Sequence, residues 1–157
     1  MRIQLISVGT KMPDWVETGI EEYTKRLSHA FPLQIKEIPA GKRQKNADIP
    51  RILAQEAELI LAQVTPQEYC VVLDVQGRSW STEELAQQLS QWQQSGNNIA
   101  LVIGGPEGLA PEVYQRANAR WSLSKLTFPH PLVRVILAEQ LYRAWTILQN
   151  HPYHRGG

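Results

Sequence analysis

The chain opens Met1-Arg2-Ile3-Gln4-Leu5-Ile6-Ser7-Val8, where apolar residues crowd a short run and predict a first strand over residues 2–8. After Pro13-Asp14 the period changes, and Val16, Ile20, Tyr23 and Leu27 recur at helical spacing. Leu33 to Ile38 alternates as a second strand, and the polar stretch Pro39-Ala40-Gly41-Lys42-Arg43-Gln44-Lys45-Asn46 follows as a loop, a candidate for mobility or RNA contact. Asp48 is placed to cap a helix that runs to about Gln63, and Tyr69 to Val75 is apolar enough for a central third strand. Ser81-Thr82-Glu83-Glu84 has the form of a capping box. The helix it starts carries Leu85, Leu89 and Trp92 on one face and ends at Ser95-Gly96.

Ile99, Leu101, Val102 and Ile103 predict a fourth, buried strand, which Gly104-Gly105-Pro106 terminates. A helix is expected from Pro111 to Ala119, then a weakly alternating segment from Trp121 to Phe128, bounded by Pro129. Pro131 suits the first turn of a last helix, whose Val133, Leu137, Leu141, Ala144, Trp145 and Leu148 form one stripe. Strand and helix alternate throughout. The expected fold is therefore α/β, a mostly parallel sheet with helices on both faces.

A chain of 157 residues, 43% hydrophobic and 20% charged, is sized for one domain over residues 1–157. No stretch approaches the roughly eighteen continuous apolar residues of a membrane span, and the N-terminus reads as a strand rather than a signal peptide, so a soluble, cytoplasmic protein is expected. Cys70 is the single cysteine and lies in the apolar run Tyr69-Cys70-Val71-Val72-Leu73, which makes it a small core residue. The net charge of +1 says little about a polyanionic partner, but the basic residues are clustered. Lys36, Lys42, Arg43, Lys45 and Arg51 form one group, and Arg134, Arg143, His151, His154 and Arg155 another. Each is either a solvated face or a phosphate-contacting patch.

Ordinary hydrolytic and metal motifs are missing: there is no Gly-x-Ser-x-Gly, no His-Glu-x-x-His and no Cys-x-x-Cys. His151 and His154 have no third ligand near them in sequence, and no metal is expected. A nucleotide-binding oxidoreductase lacks both its glycine fingerprint and its acidic ribose ligand. What remains is Ile103-Gly104-Gly105-Pro106-Glu107-Gly108 followed by Trp121-Ser122-Leu123-Ser124-Lys125-Leu126-Thr127-Phe128-Pro129-His130-Pro131. Two such turns side by side at strand ends can hold a flat heterocycle between apolar walls while peptide groups read its edges.

With Val8-Gly9-Thr10-Lys11, Ile38-Pro39-Ala40-Gly41-Lys42-Arg43, Leu73-Asp74, Pro129-His130-Pro131-Leu132-Val133-Arg134, Glu139-Gln140-Leu141-Tyr142-Arg143-Ala144 and Asn150-His151-Pro152-Tyr153-His154-Arg155, these blocks span the whole chain. The sequence resembles the SPOUT-class methyltransferases that act on N3 of a pseudouridine in large-subunit ribosomal RNA. The resemblance implies S-adenosylmethionine as methyl donor, a C-terminal part threaded into a trefoil knot, and a homodimer in which each donor pocket is completed by the other subunit. A knot would not follow from topology rules alone. The positions it implies for the donor are Leu73, Gly104, Leu123, Ser124, Lys125, Leu126, Thr127 and Phe128. The implied partner is the ribosome or its RNA, with no membrane.

Transfer is an in-line displacement at carbon, so positioning is the main requirement. N3 of a pseudouridine is an imide nitrogen that must lose its proton, which calls for a base and a nearby cation. Tyr153, His154 and Arg155 are the favoured catalytic group, with His154 or a water accepting the proton. His130, Arg134, Tyr142, Arg143, Lys42 and Arg43 are candidate substrate contacts, although His130 could equally be structural. Gly104→Val is expected to fill the donor space and leave the fold intact. Gly156-Gly157 extends the chain past the family's usual end. The alternative function is a non-catalytic ribosome-binding or RNA-binding module of the same fold.

Overall fold

The computed structural model describes residues 1–27 and 30–155; the Gly156-Gly157 extension lies outside the described residues. Five strands, β1 (Ile3–Val8), β2 (Leu33–Ile38), β3 (Tyr69–Ser79), β4 (Ile99–Ile103) and β5 (Ala119–Ser122), form one sheet in the order β2-β1-β4-β3-β5. Every pairing is parallel, as the alternating pattern predicted. The helices are α1 (Asp14–Leu27), α2 (Ile49–Ala62), α3 (Thr82–Ser95), α4 (Pro111–Arg116) and α5 (His130–Leu148), with a short 3-10 turn over Pro152–Arg155.

Successive side chains of a strand point to opposite faces, and the core divides accordingly. Ile3, Leu5, Val71, Ile99 and Leu101 join a cluster with Leu27 of α1, Leu85 and Leu89 of α3, and Leu137 and Leu141 of α5. Ile6, Val8, Cys70, Val72, Ala100 and Val102 join the opposite cluster, with Ala57 and Ile60 of α2 and Val113 of α4. Cys70 is fully buried there, as its apolar run predicted.

Helix boundaries follow the capping chemistry. Asp48 accepts from the Arg51 N–H at the start of α2. At α3, Ser81 Oγ accepts from the Glu84 N–H at 3.1 Å while Glu84 Oε1 accepts from the Ser81 N–H at 3.0 Å. Gly96 then ends α3 in the left-handed region.

Three expected boundaries are corrected. The third strand continues past Val75 to Ser79, but Leu73 and Arg78 both stand opposite Trp121, so the residues between them bulge out of the pairing. The helix from Pro111 stops at Arg116 instead of Ala119. Asn118 is drawn into the sheet instead: its N–H donates to the Cys70 carbonyl at 2.7 Å, and its Oδ1 accepts from the Cys70 N–H at 2.8 Å. Finally, the alternation from Trp121 to Phe128 is strand only as far as Ser122. Beyond it the chain turns, with Ser122 Oγ donating to the Ser124 carbonyl and the Leu126 N–H donating to Ser124 Oγ, both at 3.0 Å.

Candidate active site

The carboxyl ends of β3, β4 and β5 surround a cavity of about 590 Å³, where open α/β sheets bind ligands. Its walls come from Leu73, Asp74 and Val75 at the β3 bulge, from residues 103–106 with Gly108 and Leu109, and from Trp121, Leu123, Ser124, residues 126–131 and Val133. Tyr114 of α4 closes one side.

The glycine turn is tight. Gly108 N–H donates to the Gly105 carbonyl at 3.0 Å, and a Cβ on Gly104 would stand 2.8 Å from the Gly108 carbonyl oxygen. Gly104 is thus required by the turn itself. This corrects the expectation for Gly104→Val: the added carbons meet the turn's own backbone before they reach ligand space.

Of the expected donor positions, Leu73, Gly104, Leu123, Ser124, Leu126, Thr127 and Phe128 line the cavity. Lys125 does not; its side chain is exposed. Asp74, Val75, Gly105, Tyr114 and Trp121 also line it and were not singled out as site residues. For Asp74 a signal existed, since it sits in the quoted Leu73-Asp74 block. Its carboxylate is 13% exposed, with Arg120 Nη1 at 3.7 Å. Tyr114 packs under the Arg120 guanidinium, 4.4 Å from ring centroid to carbon. Burial first, and the Asp74 charge second, push the Tyr114 phenol up from its ordinary value.

His130 stands in the cavity wall with its Nδ1 buried and without a hydrogen-bond partner. Burial, and then the positive charge of Arg134, hold its pKa below the ordinary 6.5. Both effects favour the uncharged imidazole. Arg134 itself is 1% exposed and turned inward, donating to Glu37 Oε2 at 2.7 Å and to the Gly9 carbonyl at 2.8 Å.

The C-terminal residues form a separate cluster on the outer part of α5. Tyr153 Oη donates to Glu139 Oε2 at 2.8 Å, and Arg143 Nε donates to the same carboxylate oxygen at 3.0 Å. Burial and the Glu139 hydrogen bond push the Tyr153 phenol well up, so it stays a donor. Tyr142, 6% exposed, packs against the Tyr153 ring at 4.6 Å. His154 lines a small groove with Thr82, Gln140 and Arg143, its Nδ1 also buried and unpartnered, and Arg155 is exposed. Within one chain, none of Tyr153, His154 and Arg155 lines the cavity. Lys42 points to solvent, whereas Arg43 is held by Glu56 and Glu107.

A family model described as predicted SPOUT methyltransferase matches residues 1–154. The chain belongs to the SPOUT methyltransferase family. Two relatives, from Stutzerimonas stutzeri (strain A1501) and Ectopseudomonas mendocina (strain ymp), are each named Ribosomal RNA large subunit methyltransferase H. Each is 56% identical over 155 residues, covering 99% of this chain and 100% of its own. A solved structure described as a probable methylase family protein from Haemophilus influenzae Rd KW20 superposes with a TM-score of 0.55 at 10% identity. That match covers 96% of this chain and 69% of the other, and it shows a shared fold. This SPOUT chain is an enzyme that transfers methyl groups, as the sequence blocks implied.

Proposed function

We propose that this SPOUT methyltransferase transfers a methyl group from S-adenosylmethionine to N3 of a pseudouridine in large-subunit ribosomal RNA. The observation that carries the reading is full-length 56% identity to proteins named for methylation of that RNA subunit. The quoted sequence blocks supply the base and the nitrogen, and the ribosome is the acceptor they imply.

The cavity suits such a donor. Its volume lies in the range of small-molecule sites. Peptide groups of the 104–108 turn and the 123–128 segment supply donors and acceptors for an adenine edge, and the Asp74 carboxylate supplies a counter-charge for a cationic ligand. The orphaned, buried Trp121 Nε1 is a donor waiting for an acceptor. When bound, the sulfonium compound supplies an electrophilic methyl carbon. The chain's own residues orient the acceptor nitrogen and take its proton.

His130 stands in this wall as a contact for the acceptor base, and the N3 proton passes to His154 or to a water. Tyr153, His154 and Arg155 reach a donor cavity only if a second copy of the chain brings them there, so the reading includes the homodimer implied by the resemblance. It also includes trefoil threading of the C-terminal part and a cytoplasmic setting. Among the described residues no helix is long and apolar enough to cross a membrane.

The test is transfer of tritium from labelled S-adenosylmethionine to ribosomes isolated from a strain lacking its own enzyme of this class. Label mapped by mass to one pseudouridine is expected. Absence of incorporation by the full chain overturns the reading.

A further inference from the structure

The glycine turn carries one acidic side chain, Glu107, and it is tied to a distant part of the chain. Arg43, in the polar loop after β2, donates from Nε to Glu107 Oε2 at 2.5 Å. The rest of the guanidinium is committed elsewhere: Nη1 donates to Glu56 Oε2 and to the Gly41 carbonyl, both at 2.9 Å, and Nη2 donates to Glu56 Oε1 at 3.2 Å. Glu56 lies on α2, is 3% exposed, and also accepts from the Gly41 N–H at 2.9 Å. A Cβ built on Gly105 would stand 3.3 Å from Arg43 Nη2, so the guanidinium lies against the turn's peptide as well.

Two carboxylates thus hold one cation, and the fork geometry fixes its plane. A cation so neutralised has little to offer a phosphate, whereas exposed Lys42 and Lys45 beside it keep that capacity. The two ends differ in rigidity. Glu56 is buried on a helix; Glu107 sits on a glycine turn whose peptides carry little side-chain packing of their own.

We infer that Arg43 is a positioning residue which, braced by Glu56, pins the 104–108 turn through Glu107 and so sets the affinity of the cavity for the methyl donor. The inference rests on the donor reading of the cavity given above. A pinned turn has already lost the conformational freedom that an unpinned one would lose on binding.

The experiment is calorimetric titration of the full chain with S-adenosylhomocysteine, together with steady-state kinetics on ribosomes. Glu107→Gln strips the charge from the tie, leaving only an amide oxygen to accept from Arg43, and keeps Arg43 anchored to Glu56, so the 39–47 loop keeps its place. Its affinity is expected to fall about three- to tenfold, in line with loss of a partly exposed charged hydrogen bond. The donor KM should rise in step, with kcat at saturating donor and the ribosome KM unchanged. Glu107→Asp, which keeps the charge, should recover part of the loss; Arg43→Lys, which loses both the Nε donor to Glu107 and the fork on Glu56, should fall at least as far as Glu107→Gln. Wild-type affinity in Glu107→Gln, no recovery in Glu107→Asp, or a fall confined to kcat each overturns the inference. A wild-type chain that does not bind the ligand overturns the donor reading and this inference with it.

Discussion

Arg134 reaches from α5 to the carboxyl end of β1, where its Nη2 donates to the Gly9 carbonyl oxygen at 2.8 Å. Gly9 has φ +119°, and a Cβ there would stand 3.0 Å from Cε1 of His130. The end of β1, the buried arginine and the cavity histidine are therefore one packed unit. Gly9→Ala should cost about 1–3 kcal/mol through backbone strain and the push on His130. Urea denaturation measures the loss, and unchanged stability would show that the loop absorbs the methyl group.

His130 gives stability a pH dependence with a definite sign. Its folded pKa lies below the ordinary 6.5, so between those two values the unfolded chain binds more protons than the folded one. The contribution from neutral His130 is complete above about pH 6.5 and is lost as pH falls through the folded pKa. His130→Asn should flatten the acid side of the stability curve. Parallel wild-type and variant curves between pH 5 and 7 would remove the histidine from that account.

Gly104→Ala tests the turn more gently than valine. Its Cβ meets the Gly108 carbonyl oxygen at 2.8 Å and Leu109 Cγ at 2.9 Å, so the 104–108 turn must open. Donor affinity is expected to drop about tenfold or more, by the arithmetic of one misplaced charged-ligand hydrogen bond. Far-ultraviolet circular dichroism should stay native. Titration with S-adenosylhomocysteine checks it, and full affinity would show that the turn does not touch the ligand.

At α3, the reciprocal bonds between Ser81 and Glu84 make Ser81→Ala worth about 1 kcal/mol of stability. The Ser81 N–H bond also holds the Glu84 carboxyl below its usual range. Chemical denaturation at neutral pH reads the effect directly, and a change below a few tenths would mean water replaces the cap.

Much of this was legible along the chain because period-two apolar runs and capping residues act locally. Ile3 to Val8 and Ile99 to Ile103 could be placed by their own side chains. The ends of α4 and β5 could not, because Asn118 bonds to Cys70 across the sheet, and nothing near Ala119 announces that partner. Arg43 and Arg134 read as exposed charges by residue type, yet their carboxylates lie far away in sequence, Glu107 and Glu37. The cavity was legible in its glycine turn and its 123–128 segment, but the β3 bulge that brings Asp74 and Val75 into the wall depends on pairing with Trp121. The position of Tyr153 was equally hidden, since Glu139 claims its hydroxyl from within α5.

The two sides of the sheet are clad unequally: α1, α3 and α5 with their aromatic residues cover one, while α2 and the six-residue α4 cover the other. Thermal breathing should begin on the thinner cladding. In native-state deuterium uptake, amides of α4 should label before those of β1 and β4, leaving a half-dressed sheet as the first rung of unfolding.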